Sequence, residues 1–213
     1  MASNSKNSNM VVGLDIGTSK VVCIVGKYNE SNKLEIVALG AYPSSGLKKG
    51  VVVNIDATTD AISKAVEQAQ SMIEEKIKSF YVGIAGNHIK SLNSQGAVGI
   101  KDNEVTSIDI DRVIESAQAV SIPSDQRVLH VLPQSFVIDD QEVSLDPLGM
   151  SGVRLEAKVH LVTCASSAIK NIEKCIKNCE LGVNGFVLEQ LASSHSILSE
   201  DEKDLGVCLV DIG

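Results

Sequence analysis

The sequence predicts an α/β protein into which a small α+β module is inserted. Three observations predict this class: strand-like apolar segments bounded by turn residues, apolar residues at helical spacing between them, and a change of pattern after residue 85. The 213 residues are enough for one or two domains. We therefore expect a disordered Ser/Asn-rich tail at residues 1–9, a discontinuous main domain at residues 10–85 and 163–213, and the inserted module at residues 86–162.

The first part of the main domain is predicted as three strands, a helix and a fourth strand. Short turn-forming connections between the first three strands favour an antiparallel meander. The helix is expected because Ile62, Val66 and Ala69 recur at helical spacing, and Asp56 or Thr58 can cap its first turn. In chain order the predicted elements are strands at 10–15, 21–27 and 34–41, a helix from 56 or 58 to about 78, and a strand at 80–85.

The inserted module and the return to the main domain carry a second set of elements. In the module, the capping box Thr106-x-x-Asp109 opens a helix flanked by alternating strands. After the module, Ser166 can cap a helix, and the last apolar run indicates a strand. The predicted elements are strands at 88–92 and 97–100, a helix at 108–120, strands at 127–138 and 153–163, a helix at 166–180, a strand at 183–188, a helix at 190–198 and a strand at 205–211.

Composition and charge exclude several classes of protein. Asp and Glu outnumber Lys and Arg by 27 to 19, so a nucleic-acid partner, which is bound by basic residues that release counterions, is not expected. With 44% apolar residues the chain as a whole is not disordered. No apolar run approaches the roughly 18 residues that span a bilayer, and the start lacks a secretory signal. We expect a cytoplasmic protein.

The five cysteines and four histidines form no recognisable site. An odd number of cysteines in a chain without an export signal indicates reduced, buried thiols. Cys175 and Cys179 lie four residues apart on a predicted helix, but no His or Asp follows at a matching spacing, so a metal site is not expected there. The P-loop, dinucleotide-binding and zinc-protease motifs are all absent from the sequence.

A short repeat carries the strongest chemical signal. Residues 12–17 and 208–213 both end in Asp-Ile-Gly after an apolar run. A carboxylate at a strand end can hold the water shell of a cation, the glycine lets the backbone approach a ligand, and the hydroxyls of Thr18 and Ser19 can donate to phosphate. Each copy alone fits an ordinary strand-end turn. The pair, in a chain without another nucleotide motif, favours a triphosphate held from two sides.

With these residues the main domain resembles one half of the actin-like (ribonuclease H-like) ATPase fold, ordered βββαβαβα and shared by actin, the Hsp70 chaperones and sugar kinases. Actin and Hsp70 relatives carry their extra subdomain between the third strand and the first helix, but here that gap is too short and the insertion follows the fourth strand. This placement, with the strings at residues 13–20, 127–134, 149–160 and 191–194, is similar to the FtsA family of bacterial cell-division proteins. The resemblance implies a chain that covers about half of a family member, with the second half of the fold absent.

The resemblance implies a site for ATP and Mg²⁺. Its phosphate contacts fall on Asp15, Gly17, Thr18, Ser19 and Lys20 in a first loop and on Asp211 and Gly213 in a second. Asp15 and Asp211 would hold Mg²⁺ through water. Glu189 and Asp211 are the candidate catalytic residues, with Glu189 orienting a water. Two alternatives stay open: Lys20 can point into solvent, and Glu189 can be an acid favoured by the dipole at a helix N-terminus.

The resemblance also implies a division adaptor that polymerises, links the FtsZ ring to the cytoplasmic face of the inner membrane and recruits later division proteins. In that family the inserted module, residues 86–162, makes contacts between copies and with later proteins, while FtsZ and membrane binding belong to the half that is not encoded here. Hydrolysis is expected to be weak at most, and this fragment inactive. The alternatives are a sugar-kinase-like phosphotransferase and an interaction module that binds no nucleotide.

Overall fold

The computed structural model describes residues 9–143 and 146–211. The predicted tail, except Asn9, and the candidate phosphate contact Gly213 lie outside the described residues. The strands are β1 (Met10–Ile16), β2 (Lys20–Tyr28), β3 (Leu34–Pro43), β4 (Leu47–Lys48), β5 (Val51–Val52), β6 (Ser79–Ile84), β7 (Lys90–Gly99), β8 (Gln126–Ile138), β9 (Gln141–Val143), β10 (Arg154–Ala165) and β11 (Gly182–Leu188). The helices are α1 (Ile55–Gln70), α2 (Ser107–Gln118), α3 (Ser166–Asn178), α4 (Glu189–Ile197) and α5 (Glu200–Leu205).

The chain divides into two compact units. Unit 1 comprises the described residues 9–87 and 167–211, and unit 2 is His88–Ser166. The sequence pattern places the end of the module at residue 162, whereas β10 continues to Ala165. Thr163 and Cys164 are both buried, so the alternation that marks the earlier part of β10 stops before the strand itself does.

Unit 1 is built on a five-stranded sheet in the order β11-β6-β1-β2-β3. β1, β2 and β3 form an antiparallel meander, as the short connections predict, while β6 is parallel to β1 and β11 to β6. α1 packs closely on β3, because a Cβ built on Gly40 would lie 1.9 Å from the carbonyl oxygen of Ala65. The buried side chains of this unit include Leu14, Val21, Ile62, Phe80 and Ile169.

The N-terminus of α1 lies one residue ahead of the predicted range. Asn54, and not Asp56 or Thr58, caps the first turn, since its side-chain oxygen accepts a hydrogen bond from the Ala57 N–H at 3.1 Å. Asn is as good a cap as Asp, and its extended backbone (φ −140°, ψ 108°) suits that position. The predicted cap residues therefore lie inside the helix.

The C-terminus of α1 is at Gln70 and not near residue 78 as predicted. The Gln70 side-chain amide holds the following loop, because it donates to the carbonyls of Ile73 and Glu75 and accepts from the Ile77 N–H. Ile77, whose N–H donates to Gln70, is a buried residue although it lies outside any helix or strand. The apolar spacing in the sequence therefore continues beyond the point where the helix ends.

Residues 205–211 do not form the predicted strand. The capping box of Ser199 and Glu202 begins α5, which ends at Leu205, and residues 206–211 are neither strand nor helix. Val207 and Val210 are 51% and 70% exposed. A strand needs neighbours for its backbone N–H and C=O groups, and no strand of the described sheets pairs with this segment. The second Asp-Ile-Gly copy therefore does not follow a buried strand.

The cysteines differ in burial. Cys23, Cys164 and Cys175 are buried and Cys179 is half-buried, but Cys208 is exposed, so the prediction of buried thiols is wrong for that residue. All five are free thiols. Burial raises the pKa of Cys23 to about 11, and it also raises the pKa of Cys164, Cys175 and Cys179.

Unit 2 is a four-stranded antiparallel sheet in the order β7-β10-β8-β9, with α2 packed on it. The two short stretches predicted at residues 88–92 and 97–100 are covered by one strand, β7. Gly96 in β7 lies against α2, where an added Cβ would be 2.3 Å from the Ala117 nitrogen. The predicted capping box is confirmed, because the Asp109 N–H donates to Thr106 Oγ1 at 3.3 Å and the Asp109 carboxylate accepts from the Thr106 N–H.

The helices of both units are short. α1 is the longest helix of the described chain at 16 residues. Within residues 9–143 and 146–211, no helix combines the length and the apolar character that crossing a membrane requires.

Candidate functional site

A cleft of about 940 Å³ lies at one end of the sheet in unit 1. It is lined by the β1–β2 loop, the tip of the β4–β5 hairpin, the ends of β6 and β11, and the first residues of α4. The carboxyl ends of parallel strands meet here, which is where open α/β sheets bind ligands. The charged residues that line the cleft are Asp15, Lys20, Lys49, Glu189 and Asp211.

The β1–β2 loop is a tight turn held by its own backbone. The Gly17 N–H donates to the Lys20 carbonyl at 3.0 Å, and the Ser19 carbonyl accepts from the Ser44 N–H at 2.9 Å. A Cβ on residue 17 would lie 3.0 Å from the same Lys20 oxygen, so the turn favours a glycine. Thr18 and Ser19 are exposed at the tip. The Gly17 N–H is used within the loop, and the hydroxyl groups exposed at its tip are those of Thr18 and Ser19.

Two carboxyl groups meet in this cleft. Asp15, exposed near the end of β1, is hydrogen-bonded to Glu189, the half-buried first residue of α4. Burial, the charge of Asp15, their shared hydrogen bond and the charge of Asp211 raise the pKa of Glu189 to about 7. The pair therefore shares a proton near neutral pH, with Glu189 donating to the Asp15 carboxylate.

The charge of Lys20 acts on Asp15. Although Asp15 is exposed as a whole residue, the protein around its carboxyl displaces enough water to raise the pKa of that group. The Glu189 hydrogen bond and the Lys20 charge lower this pKa and the Asp211 charge raises it, with a net rise. Lys20 itself is exposed. Its ammonium group nevertheless lies close enough to Asp15 to favour the ionised form, and Lys20 lines the cleft.

Gly83 in β6 forms the floor beneath Glu189. A Cβ built on Gly83 would lie 3.0 Å from Glu189 Cγ and 3.3 Å from its Oε1. The chain passes directly from β11 into α4 through Leu188, whose backbone is extended at φ −63° and ψ 125°. The absence of a side chain at residue 83 therefore leaves the space in which the Glu189 carboxyl reaches Asp15.

The remaining predicted residues fall into two groups. Asp211 lines the cleft although its segment is not a strand, and its charge contributes to the raised pKa of Asp15 and Glu189. Gly213 lies outside the described residues. The predicted residues that the structure brings together are Asp15, Gly17, Thr18, Ser19, Lys20, Glu189 and Asp211.

Sequence reasoning missed the β4–β5 hairpin, whose tip residues Lys49 and Gly50 also line the cleft. Part of the signal was present, since the β-branched pair Val51-Val52 follows directly on a glycine that can end a two-residue turn. Gly83 was missed as well. Its importance comes from the side chain above it, which no local pattern reveals.

The described residues supply only part of a metal site. Among residues 9–143 and 146–211, no three side chains of His, Cys, Asp or Glu converge as in a protein-only metal centre. Cys175 and Cys179 instead face α1, where their thiols donate to the carbonyls of Ile55 and Thr59 at 3.7 and 3.5 Å. A cation in the cleft would take further oxygen ligands from water and from a bound ligand.

The fold is mixed α/β. It is similar to a chain of the solved PilM-PilN type IV pilus biogenesis complex, with a TM-score of 0.60 over 87% of this chain and 49% of that chain. The two sequences are 13% identical, so this likeness shows the fold alone.

Residues 86–163 match the family described as the SHS2 domain inserted in FtsA. The chain is 61% identical to the cell division protein FtsA of Pseudomonas aeruginosa, over 98% of this chain and 50% of that protein. The FtsA proteins of Neisseria meningitidis and Escherichia coli K12 are 54% and 43% identical, over 94% and 96% of this chain and 48% and 49% of theirs. The chain belongs to the FtsA family and spans about half the length of the curated relatives it matches.

Proposed function

We propose that the cleft of unit 1 holds the phosphate groups of ATP together with Mg²⁺. The observation that carries this proposal is the pairing of the Asp15 and Glu189 carboxyls beside a tight loop that bears hydroxyl groups. Carboxylates hold hydrated cations, while hydroxyls, backbone N–H groups and lysines match phosphate oxygens. A volume of about 940 Å³ lies in the range of small-molecule sites. The residues present therefore fit Mg-ATP.

In this proposal the carboxylates would contact the hydrated cation and the hydroxyl groups would contact the phosphates. Asp15 and Asp211 would hold the water shell of Mg²⁺, since both carboxylates line the cleft. Thr18 and Ser19 would donate to phosphate oxygens from the exposed tip of the β1–β2 loop. Gly17 would act by closing this loop through its bond to the Lys20 carbonyl, rather than by contacting phosphate.

Glu189 is the residue best suited to hold a proton or orient a water in the cleft. Its pKa of about 7 keeps both protonation states populated near neutral pH. Bound ATP would supply the phosphoanhydride bond, and its Mg²⁺ would neutralise negative charge on the phosphate oxygens. Lys20 would keep Asp15 ionised for that cation. We expect hydrolysis to be weak at most, so the role of this site is to bind nucleotide.

For the whole protein we infer a role in cell division as an actin-like adaptor. The identity of 43–61% to proteins named cell division protein FtsA supports this inference. The adaptor would polymerise, link FtsZ to the cytoplasmic face of the membrane and recruit later division proteins, with unit 2 making contacts between copies and with those proteins. Contacts with FtsZ and the membrane are proposed for the half of the relatives' length that this chain does not match. Family membership leaves the sugar-kinase alternative without support.

The test of the nucleotide proposal is calorimetry of the complete gene product with Mg-ATP. Wild-type protein should bind, and Asp15→Ala should weaken binding at least about tenfold because a carboxylate that holds the cation shell is lost. Asp111→Ala is the matched control, since Asp111 is exposed on α2 in unit 2, outside the cleft. Absence of Mg-ATP binding by the wild type, or equal affinities of the two variants, would overturn the proposal.

A further inference from the structure

We propose that Lys49 is an anion-recognition residue of the cleft and that it favours ligands with two or three phosphates over those with one. This inference rests on the proposed function of the same cleft. It concerns a residue of the β4–β5 hairpin, which lies apart in sequence from both Asp-Ile-Gly loops.

The backbone fixes the position of Lys49. Lys48 pairs with Val51, so that Lys49 and Gly50 form a two-residue hairpin turn. Both turn residues have a positive φ, 53° for Lys49 and 77° for Gly50, as in the turns that match the twist of a hairpin. Asn, Asp or Gly would adopt this conformation at lower cost than Lys. The lysine therefore occupies a position for which its backbone preference is poor, which is typical of side chains kept for contact with a ligand or partner.

The hairpin is anchored at both ends, so its tip is not a loose loop. At the tip, a Cβ built on Gly50 would lie 2.4 Å from the carbonyl oxygen of Ala85, just after β6. At the base, the Gly46 carbonyl accepts from the N–H groups of Val53 and Asn54 at 2.8 and 3.1 Å. Unit 1 thus holds the Lys49 backbone beside the cleft before any ligand binds, which reduces the entropy lost on binding.

Lys49 is one of two lysines among the charged residues that line the cleft. Three acids, Asp15, Glu189 and Asp211, line a cleft that would receive a polyphosphate, while Lys20 already acts on Asp15. In the part of the chain that the structure describes, Lys49 forms no salt bridge with a carboxylate. Its positive charge is therefore available to an anion in the cleft.

A polyphosphate is the ligand class that best uses this arrangement. Each added phosphate brings negative charge into a cleft where acids outnumber lysines by three to two. The attraction of Lys49, an exposed residue at the edge of the cleft, therefore grows with the number of phosphates. A ligand with one phosphate should gain less from Lys49 than ATP gains.

The test compares Lys49→Gln with Lys48→Gln in the complete gene product. Lys48 is the matched control because it is the preceding residue on the same hairpin, exposed and outside the cleft lining. With magnesium present, we expect Lys49→Gln to weaken ATP binding about tenfold and AMP binding less than about threefold. Lys48→Gln should change neither affinity by more than about twofold. Raising the ionic strength should weaken ATP binding less in Lys49→Gln than in the wild type.

Two further variants separate charge from backbone. Lys49→Asn suits the positive φ and should fold at least as stably as the wild type, yet it should bind ATP as weakly as Lys49→Gln. Lys49→Arg should keep most of the affinity. If the wild type binds Mg-ATP and Asp15→Ala weakens that binding, but Lys49→Gln matches Lys48→Gln, the role of Lys49 is wrong and the nucleotide site stands. If the wild type does not bind Mg-ATP, both proposals are overturned.

Discussion

The carboxyl groups of Asp15 and Glu189 are joined by a hydrogen bond in the cleft of unit 1, and the Glu189 side chain lies directly over Gly83. Asp15 belongs to the first Asp-Ile-Gly copy, in the part of unit 1 that precedes unit 2 in the sequence. Glu189 belongs to the part of unit 1 that follows unit 2. This single contact therefore depends on the correct assembly of the whole discontinuous unit. Substitutions of Glu189 and of Gly83 test it.

The first prediction concerns the pH dependence of stability. Because the pKa of Glu189 is raised from 4.5 to about 7, folded protein binds more protons than unfolded protein between these values. The free energy of unfolding should therefore fall as pH rises through this window. Glu189→Gln keeps a hydrogen-bond donor but cannot ionise, so its stability should depend less on pH and should exceed that of the wild type at about pH 8, by on the order of 1 kcal/mol.

Urea unfolding at several pH values between about 5 and 8 measures this effect. Glu30→Gln, in the exposed loop between β2 and β3, is the control and should keep the wild-type slope. An equally steep slope in Glu189→Gln would show that the shared proton does not contribute to the pH dependence.

The second prediction concerns the floor of the cleft. Gly83→Ala would place a Cβ 3.0 Å from Glu189 Cγ, so the Glu189 side chain should move away from Asp15. Mg-ATP affinity should fall several-fold, and the pH dependence of stability should flatten as in Glu189→Gln. The control is Gly185→Ala on β11, where the new methyl would make an ordinary contact of 3.5 Å with Tyr81. Equal behaviour of the two alanine variants would contradict the assigned role of Gly83.

The third prediction concerns the packing of α1 on β3. Gly40→Ala would bring a Cβ to 1.9 Å from the Ala65 carbonyl oxygen and 2.7 Å from the Ala69 nitrogen, so the helix must shift or the unit must unfold. We expect a loss of about 3 kcal/mol or more in the stability of unit 1. Thermal unfolding followed by circular dichroism measures it. Gly99→Ala, with open space around the added Cβ, should have a much smaller effect.

The fourth prediction concerns the capping box of unit 2. Thr106→Ala removes the hydroxyl that accepts from the Asp109 N–H at 3.3 Å, and should destabilise α2 by about 1 kcal/mol. Hydrogen exchange of the first-turn amides of α2 measures the loss locally. Ser107→Ala, at the next residue, lacks such a capping role and serves as the control. Unchanged protection in Thr106→Ala would show that this cap contributes little.

The sequence predicts most of the fold where local pattern and packing agree. The β1–β3 meander follows from apolar segments with short turns, and the start of α2 follows from its capping box. The prediction was wrong where a single contact decides the outcome. The Gln70 amide holds a loop where helical spacing continues, and residues 206–211 remain unpaired in the described sheets despite their apolar side chains.

The candidate site divides in the same way. Asp15 and its loop are predicted because Asp, Gly, Thr and Ser stand together in the sequence. Lys49 and Gly83 are not, because their positions beside the cleft arise from packing between distant segments. Lys49 reaches the cleft through the contact of Gly50 with Ala85, which the sequence of the hairpin does not reveal.

The exposure of Cys208 gives the protein a natural attachment point for a spectroscopic probe. Thiolates, not thiols, react with maleimide dyes, and burial raises the pKa of the other four cysteines, which keeps them protonated at neutral pH. Cys208 stands three residues before Asp211, which lines the cleft. A fluorophore on the Cys208 sulfur would therefore stand three residues from a carboxylate of the cleft, and its emission could be followed as Mg-ATP is added.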